Sequence, residues 1–392
     1  MHDFETYQQR IDVRFDYPVH FTRDLFSLGN PLLADVLDRR QESRRHKCLV
    51  FLDSGVASAW PDLAEAIKEY FHAHPTGMEL CGLESVPGGE AAKTSWARVR
   101  EVMWTAGNLH MDRQSFIMAI GGGSVIDMVG FAASIVHRGL RLIRVPTTTL
   151  AQNDAGVGVK NGMDEHGMKN FVGTFAPPFA VLNDFSFLAT LPQDHWIGGV
   201  SEAFKVAIIK DAGLFGLLRS RADDLRLRRP DAMEEVVYRT ALLHLEHIRT
   251  GGDPFEFGSA RPLDFGHWSA HKLEAMTGFA IGHGQAVSIG IALDSCYAMR
   301  QGLITADEFE QITGAMVRCG LPIWHEQLDS VTHDGLSVVL QGLDEFREHL
   351  GGVLTVTLPD GIGRRVEVHQ MNTDCLQEAI TMLKTIHGSR GK

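Results

Sequence analysis

Paired cysteines are missing from this 392-residue chain. It has no CxxC motif, and its cysteines are odd in number and widely spaced: Cys48, Cys81, Cys296, Cys319 and Cys375. This pattern argues against a cysteine zinc site and against a disulfide framework. We therefore expect these residues to be small, buried hydrophobic side chains.

Long apolar runs are missing as well. No stretch reaches the roughly 18 apolar residues that a membrane-spanning helix needs. The first residues, "MHDFETYQQRIDVRFDYP", are polar and include acids, so they lack the basic start and apolar middle of a signal peptide. The sequence predicts a cytoplasmic protein that is not associated with a membrane.

The third absence is an excess of positive charge. Lys and Arg number 37 against 49 Asp and Glu, a net charge of −12, which argues against nucleic acid as a partner. An anionic substrate would need a local basic pocket. A hydrophobic content of 44% and a charged content of 22% are typical of a globular protein, and the length predicts two domains.

The first half of the chain alternates short apolar runs with helical patterns. The strand candidates are 47–53 ("KCLVFLD"), 77–84, the start of 115–136 ("SFIMAIGGGSVIDMVGFAASIV") and 141–146. Alternation of this kind predicts a parallel sheet covered by helices on both faces. After about residue 190 helical patterns dominate, with one predicted hairpin at 351–369. We therefore predict an α/β domain over 1–190 and a mostly α-helical domain over 191–392.

Two polar segments of the first half are candidates for anion binding. In "AIGGGSVID" (119–127), a strand runs through three glycines into a helix start, which suits a phosphate but also an ordinary tight turn. In "RVPTTTLAQNDAGVGVKNG" (144–162), hydroxyl and amide groups precede Asp154 and Lys160. With Lys169 and Asn170 these groups could form an anion pocket, or they could be ordinary strand and surface residues.

The second half contains a metal-site pattern. Glu202 and Lys205 are three apart and share a helix face within an apolar segment, where a charged pair needs a partner or a metal. His267 and His271 are four apart in "LDFGHWSAHKLE" (263–274), and His283 follows in "IGHGQAV". Three histidines and an acid favour a metal site over satisfied core histidines. By composition alone, Lys272 and Glu274 are expected to be surface charges.

These segments resemble the sugar phosphate cyclases, the superfamily of 3-dehydroquinate synthase. The resemblance runs from about residue 45 to 365. It rests on "PGGEAAK", "AIGGGSVIDMVGFAA", "HRGLRLIRVPTTTLAQNDAGVGVK", "GMKNFVGTFAPPFAVLND", "LATLP", "GGVSEAFK", "LDFGHWSAHKLE" and "GHGQAVSIG", which occur in the order and spacing of the family. It implies a dehydroquinate synthase-like fold, with an NAD-binding domain followed by a metal-binding helical domain.

The resemblance also implies roles for individual residues. Glu202, His267 and His283 match the family's ligands of a divalent metal, zinc or cobalt, and His271 matches a histidine near the substrate phosphate rather than a ligand. The substrate-contacting positions match Asp154, Lys160, Asn170, Lys205 and Asp264. The NAD positions match Asp53, Glu90, Lys93, Gly122, Gly123, Asp127, Thr147, Thr148 and Thr190. Arg138 matches an arginine that family members lend to a neighbouring subunit, which implies a homodimer.

Departures from the family pattern bear on the substrate. 3-Dehydroquinate synthase has asparagine at the position of Asp264, and it holds the substrate carboxylate with a lysine and an arginine. Counting without gaps, Glu246 falls at the lysine position and Ala260 at the arginine position, with Arg261 shifted by one. An acid facing a carboxylate is repulsive, so we predict an uncharged head group, as in sedoheptulose 7-phosphate.

A second departure concerns the phosphate. The family's late lysine pair is replaced by "EFREHLGG", which leaves Arg347 or His349 as candidate phosphate contacts.

Asp264 together with His271 looks more like the 2-epi-valiolone synthases and the related cyclases of Ebo-type gene clusters. The 2-epi-5-epi-valiolone synthases resemble this chain at Asp264 but tend to carry proline at the position of His271. The implied reaction is phosphate elimination with catalytic NAD and a metal, giving a C7 cyclitol of the 2-epi-valiolone type. Alternatives are 2-epi-5-epi-valiolone synthase, 3-dehydroquinate synthase, a metal-dependent alcohol dehydrogenase and a non-catalytic sugar-phosphate-binding homologue.

Overall fold

The N-terminal half is built on one parallel sheet. A computed structural model describes residues 6–166, 168–250, 252 and 261–390 of the chain. The strands of this sheet are β1 (Val19–Thr22), β2 (His46–Asp53), β3 (Met78–Val86), β4 (Phe116–Gly121), β5 (Arg141–Pro146) and, further along the chain, Ala180–Asp184, which becomes β8 in chain order. Their spatial order is β1-β8-β5-β4-β2-β3, and every pairing is parallel.

Burial explains the central strands. From Cys48 to Asp53, β2 is a continuous buried run, the signature of a parallel strand covered on both faces. The layers on either side are formed by helices α1 (Leu32–Leu37), α2 (Ser54–Ala59), α3 (Leu63–Ala73), α4 (Trp96–Asn108) and α5 (Gly123–Ile135). The prediction of a parallel sheet with helical layers is confirmed. The sequence did not single out β1 and β8, whose four or five residues are too short for a clear pattern.

An antiparallel hairpin leaves this domain between β5 and β8. Its strands are β6 (Lys160–Glu165) and β7 (Met168–Phe175). Before it, residues Ala151–Ala155 form a single π-helical turn. Such turns widen the helix by one residue and are frequent at functional sites. Asp154 lies in this turn.

The C-terminal half is mostly α-helical, as predicted. Its helices are α6 (Gln193–Lys210), α7 (Ala212–Ser220), α8 (Ala222–Arg226), α9 (Pro230–Arg249), α10 (His267–Met276), α11 (His283–Arg300), α12 (Ala306–Cys319), α13 (Gly342–His349) and α14 (Thr373–Arg390). The predicted late hairpin is formed by β9 (Val356–Pro359) and β10 (Arg365–Val368), which pair antiparallel. The domain boundary near residue 190 stays a prediction.

Two buried helices form the centre of this half. Residues 286–298 of α11 are buried on every side, and so are 196–209 of α6, as expected for helices at the centre of a core. None of the helices in the described part of the chain is long and apolar enough to cross a membrane. Glu202 and Lys205 lie in the middle of α6, so their charges are held inside a core.

Candidate functional site

A crevice opens at the carboxyl ends of β2 and β4. From β2 the chain continues to β3 on one side and then to β4 on the other, so the strand order reverses between these two strands. In open α/β sheets, a reversal of this kind forms the crevice that binds ligands. Asp53 ends β2, and Gly122 and Gly123 join β4 to α5. Three of the predicted NAD residues therefore lie where this topology places a ligand, and their role in binding NAD stays a prediction.

The acidic and basic residues predicted for NAD form one cluster beside this crevice. Lys93 Nζ donates to Asp127 Oδ2 at 2.8 Å and also contacts Asn170 Oδ1. Ser124 Oγ donates to Glu90 Oε2 at 2.7 Å. Asn170, predicted to contact substrate, lies in β7 and therefore brings the hairpin directly against a predicted cofactor residue.

The three threonines predicted to bind NAD follow strands of the same sheet. Thr147 and Thr148 come directly after β5, and Thr190 ends the short 3-10 helix after β8. The Thr147 amide donates to the Gly121 carbonyl at 3.0 Å, and the Thr148 hydroxyl accepts from the Ala151 amide at 3.1 Å, which begins the turn that holds Asp154. Thr190 Oγ1 accepts from Trp60 Nε1 at 2.9 Å. These are structural hydrogen bonds in this structure, and the roles of the three threonines in cofactor binding stay predictions.

The predicted metal ligands come together from three helices. Glu202 Oε1 lies 3.7 Å from His267 Nε2 and 3.5 Å from His283 Nε2, and all ligand atoms of the trio lie within 4.8 Å of one another. The trio is buried or half-buried. Both oxygens of Glu202 are buried without a hydrogen bond, although the Lys205 ammonium contacts Oε2. A buried carboxylate facing two imidazole nitrogens is the donor set that a divalent metal requires.

The other nitrogen of each histidine is already engaged. His267 Nδ1 lies 3.0 Å from the Phe265 carbonyl oxygen, and His283 Nδ1 lies 3.2 Å from both oxygens of Glu274. Donation from Nδ1 fixes the tautomer and directs the lone pair of Nε2 at a metal, as in most histidine metal sites. The residues present therefore fit a metal bound by Glu202 and the two Nε2 atoms.

Local backbone geometry sets these positions. Gly266 precedes His267 at φ 78, where a Cβ would lie 2.8 Å from the Ile291 amide nitrogen. Buried Asp294 accepts from the Gly266 amide at 3.0 Å and from Trp268 Nε1 at 2.8 Å, and burial raises the pKa of this carboxyl to about 7. The turn is thus held on both sides of His267.

A second group could also hold a cation. His271, Glu274 and His283 have ligand atoms within 4.8 Å of one another, and the rings of His271 and His283 are stacked with centroids 6.1 Å apart. The two groups share His283, whose Nδ1 is already bonded to Glu274. We favour the trio with Glu202 because it leaves Nε2 for the metal. His271 then lies beside the metal site, and its contact with the substrate phosphate stays a prediction.

Protonation of the trio predicts how metal binding depends on pH. Burial opposes the charged imidazolium, but the Glu274 carboxylate outweighs it and raises the pKa of His283 to about 9. Burial and Lys205 lower the pKa of His267. Burial raises the pKa of Glu202, but Lys205 outweighs it and brings the value to about 2. Below pH 9, therefore, one ligand of the metal-free protein carries a proton.

We expect metal binding at pH 7 to release about one proton. Affinity should rise about tenfold per pH unit up to pH 9 and then level off, because the metal needs the neutral imidazole. Calorimetric titration of metal-free protein with Zn²⁺ in buffers of different ionisation enthalpy measures the proton count. A count near zero with pH-independent affinity would contradict the protonation of His283.

Glu274 is the clearest error of the sequence-based expectations. We expected a surface charge, but Glu274 is 3% exposed and binds His283. Lys169 Nζ donates to Glu274 Oε1 at 2.6 Å and lies 3.5 Å from Glu90 Oε1. Lys169 therefore connects the cofactor cluster with the partner of a metal ligand. The Lys272 side chain is 13% exposed, so it too is mostly covered, but its ammonium pairs with the exposed Glu345.

Replacing Glu274 by glutamine is expected to weaken metal binding by about 10- to 100-fold, the usual cost of losing a carboxylate behind a ligating histidine. The amide still accepts from Nδ1 but no longer supplies the negative charge. Competition with a chromogenic chelator measures the affinity. Lys272→Gln, on the same helix, serves as the matched control. Equal affinities in the two variants would show that Glu274 does not support the ligand.

Lys205, Asp154 and His244 form a polar triad next to the metal trio. Lys205 Nζ is 3.5 Å from Asp154 Oδ1, and the same oxygen is 3.0 Å from His244 Nδ1. Burial raises the pKa of Asp154, but Lys205 and His244 outweigh it and hold the pKa well below its usual range. His244 was not among the residues predicted from the sequence, because no motif or spacing distinguishes it within α9.

The remaining predicted substrate residues lie at different depths. Lys160 begins β6 and is exposed, and Asp264 is half-buried at the end of a short 3-10 turn. Arg138 is exposed and follows the C-terminal end of α5. Since α5 spans 13 residues at 1.5 Å each, Arg138 is roughly 20 Å from the glycine turn. Its predicted role is therefore consistent with a neighbouring copy rather than with its own crevice.

The gapless placement of Glu246 at a substrate-facing position is wrong. Its side chain is 49% exposed and pairs with Arg249 at 2.6 Å, whereas His244 and His247 occupy the buried face of α9. A count without gaps ignores which face of a helix a residue occupies. Arg261 is half-buried, and Ala260 lies outside the described residues.

The phosphate candidates of α13 lie near a separate cavity. Arg347 pairs with Asp344 at 3.0 Å and lines a cavity of about 610 Å³ together with His369 and Gln370. Apart from Arg347, none of the predicted site residues lines this cavity. The side chain of His349 lies outside the described part of the chain. A phosphate contact by Arg347 or His349 stays a prediction.

Comparison with known proteins identifies relatives along the whole chain. The 3-dehydroquinate synthase N-terminal family matches residues 84–198, and its C-terminal family matches 199–339. The 2-epi-valiolone synthase of Actinosynnema mirum is 30% identical, over 94% of this chain and 92% of the relative. The 2-epi-5-epi-valiolone synthase of Streptomyces glaucescens is 34% identical, over 91% of this chain and 87% of the relative.

Solved structures agree. The 2-epi-5-epi-valiolone synthase ValA of Streptomyces hygroscopicus, solved with NAD⁺ and Zn²⁺ bound, superposes with a TM-score of 0.84 at 30% identity, covering 97% of this chain and 99% of that one. An iron-containing alcohol dehydrogenase of Thermotoga maritima has a TM-score of 0.63 at 12% identity, covering 95% and 99%, so the alcohol dehydrogenases share only the fold. The chain belongs to the 3-dehydroquinate synthase family of sugar phosphate cyclases.

Proposed function

We propose that this protein converts sedoheptulose 7-phosphate to a C7 cyclitol of the 2-epi-valiolone type, with elimination of phosphate. The observation that carries the proposal is the continuous connection from the crevice to the metal trio, through Glu90, Lys169, Glu274 and His283. A redox cofactor and a metal can act on one substrate only if their sites adjoin. NAD and a divalent metal, zinc or cobalt, are the proposed cofactors, as in ValA.

The cofactors would supply reversible hydride removal and polarisation of the substrate oxygen. The chain's own residues hold the substrate. Asp154 is an ionised acceptor for sugar hydroxyls, and Lys205 presents a buried ammonium between Asp154 and Glu202. Lys160 and His271 would contribute to holding the phosphate. Burial and His267 hold the pKa of His271 well below its usual value, so it stays neutral and can donate its single N–H to a phosphate oxygen.

The substrate assignment now depends on Asp264 and on α9. Asp264 lies close enough to Lys205 to raise its pKa, so its negative charge is felt within the site. The sequence of α9 contains no lysine, and its buried face carries His244 and His247 instead. A substrate with an uncharged head group therefore suits this site better than a carboxylated one. Glu246 does not contribute to this preference, because its side chain lies on the exposed face of α9.

We further propose a homodimer in which Arg138 reaches the neighbouring copy's substrate phosphate. Its distance from its own crevice and its exposed position after α5 support this arrangement. Mixing Arg138→Ala protein with a variant inactive at Glu202 tests it, because shared sites would restore activity in mixed dimers. The cytoplasmic location stays a prediction.

The test of function is incubation of NAD⁺- and metal-loaded protein with sedoheptulose 7-phosphate, followed by phosphate release and NMR of the product. We expect several phosphates per protein, no accumulation of NADH and a product of 2-epi-valiolone configuration. A 2-epi-5-epi product would reassign the stereochemistry. Turnover of only the carboxylated heptulosonate phosphate would refute the substrate. Equimolar NADH would indicate an alcohol dehydrogenase, and binding without turnover a non-catalytic homologue.

A further inference from the structure

The buried face of α9 carries polar side chains that line up along the helix. Thr240, His244 and His247 are 1%, 5% and 7% exposed and recur at the four- and three-residue spacing of one helical face. Glu246 points away from this face. Two histidines on a buried face need partners, and His244 has one inside the candidate site.

The partner of His244 is Asp154. His244 Nδ1 lies 3.0 Å from Asp154 Oδ1. Since an ionised carboxylate only accepts, the proton of this hydrogen bond is on Nδ1. In the neutral imidazole that bears this proton, Nε2 is an acceptor.

The other edge of the ring faces the substrate segment. Among the described residues Nε2 has no hydrogen-bond partner. A Cβ built on Gly158 would lie 3.6 Å from it, so Nε2 points towards the stretch between Asp154 and Lys160. Both residues are predicted to contact substrate. The ring thus spans from Asp154 to the backbone of Gly158, within the segment that carries both predicted substrate residues.

We propose that His244 is a specificity-determining residue of this site, which accepts a hydrogen bond from a substrate hydroxyl at Nε2 while holding Asp154 through Nδ1. The inference rests on the proposed function. An acceptor nitrogen pairs with a hydroxyl, which can donate, and repels the lone pairs of an ionised carboxylate, which cannot. His244 would therefore select polyhydroxylated sugar phosphates over carboxylated ones.

Two variants separate the contacts of the ring. In His244→Asn the amide reaches the position of Nδ1, so Asp154 keeps a donor while the Nε2 contact is lost. In His244→Phe both contacts are lost. Glu246→Gln, on the exposed face of the same helix, is the matched control. Unfolding in denaturant checks that each variant folds, and the conservative asparagine variant keeps the test valid if the phenylalanine variant does not.

The measurement is calorimetric binding of sedoheptulose 7-phosphate to the metal-loaded protein without NAD⁺, which cannot turn the substrate over, with inorganic phosphate as the reference anion. We expect His244→Asn to bind the sugar phosphate about tenfold more weakly, the usual effect of one lost hydrogen bond, and to bind phosphate unchanged. We expect His244→Phe to lose roughly a further tenfold, and Glu246→Gln to match the unaltered protein.

If His244→Asn binds the sugar phosphate as tightly as the unaltered protein does, the inference is overturned, because His244 would then only hold Asp154. Equal losses for sugar phosphate and phosphate would overturn it too. The proposed function is tested separately by product NMR. If His244→Asn binds the sugar phosphate more weakly but the unaltered protein does not cyclise it, the proposed function is refuted. The hydrogen bond between His244 Nε2 and the substrate hydroxyl would still be supported.

Discussion

Glu202→Gln is expected to purify without bound metal and to lose turnover by about 10³-fold or more. Glu202 is 1% exposed and supplies the only carboxylate of the favoured trio, facing both Nε2 atoms within 3.7 Å. The amide is neutral and a far weaker ligand. A metal contributes several kcal/mol of transition-state stabilisation, and each 1.36 kcal/mol corresponds to a factor of ten in rate.

Metal content by mass spectrometry of the elements, together with phosphate release, measures both effects. Glu378→Gln is the matched control, because Glu378 is exposed and pairs with Arg300 at the surface. The NAD crevice does not include Glu202, so binding of NAD⁺ should persist in the variant. A metal-bound, inactive Glu202→Gln protein would show that the second group, with His271 and Glu274, holds the ion instead.

The sequence indicated the sheet and a metal site of histidines and an acid for related physical reasons, and the resemblance to the sugar phosphate cyclases then selected Glu202, His267 and His283 as the ligands. A strand buried on both faces must be a continuous apolar run, as in 47–53, so β2 and β4 could be found directly. Ligands must be histidines and acids in an apolar setting, as in Glu202 within α6. Both signals are local in the chain, and the fold only had to bring the pieces together.

The sequence failed where a role depends on tertiary contacts. Glu274 occupies a position that looks solvent-exposed by helical spacing, yet the β6–β7 hairpin brings Lys169 onto it and α11 brings His283. His244 has no motif around it, and only the π-helical turn at 151–155 brings Asp154 to it. The wrong placement of Glu246 has the same origin, because the facing of α9 is decided by packing.

Lys205→Met is expected to keep the metal but lose about 10²- to 10³-fold in turnover, the usual effect of removing one preorganised charged donor. Lys205 is 3% exposed and lies between Asp154 and Glu202. Loss of this ammonium makes the net charge around Glu202 and Asp154 more negative, which favours binding of a divalent cation. Retention of metal distinguishes this variant from Glu202→Gln, and Lys210→Met, at the end of the same helix, is the control.

With its metal removed, the Lys205→Met protein should also have a free energy of unfolding about 3–5 kcal/mol lower than the unaltered protein, since removing one partner leaves buried charges unpaired. The pKa of Glu202 is lowered from 4.5 to about 2 with Lys205 present, so its contribution to stability is complete above pH 4.5 and is lost as the pH falls towards 2. Without Lys205 this contribution disappears, and the stability gap to the unaltered protein should be widest near neutral pH and shrink through that window.

Added Zn²⁺ should narrow the gap at neutral pH, because the cation replaces the missing positive charge beside Glu202. Thermal unfolding of metal-free and zinc-loaded protein at pH 3 and pH 7 measures these differences. A gap that is the same at both pH values, or a variant that loses its metal along with its activity, would show that Lys205 does not neutralise these two carboxylates.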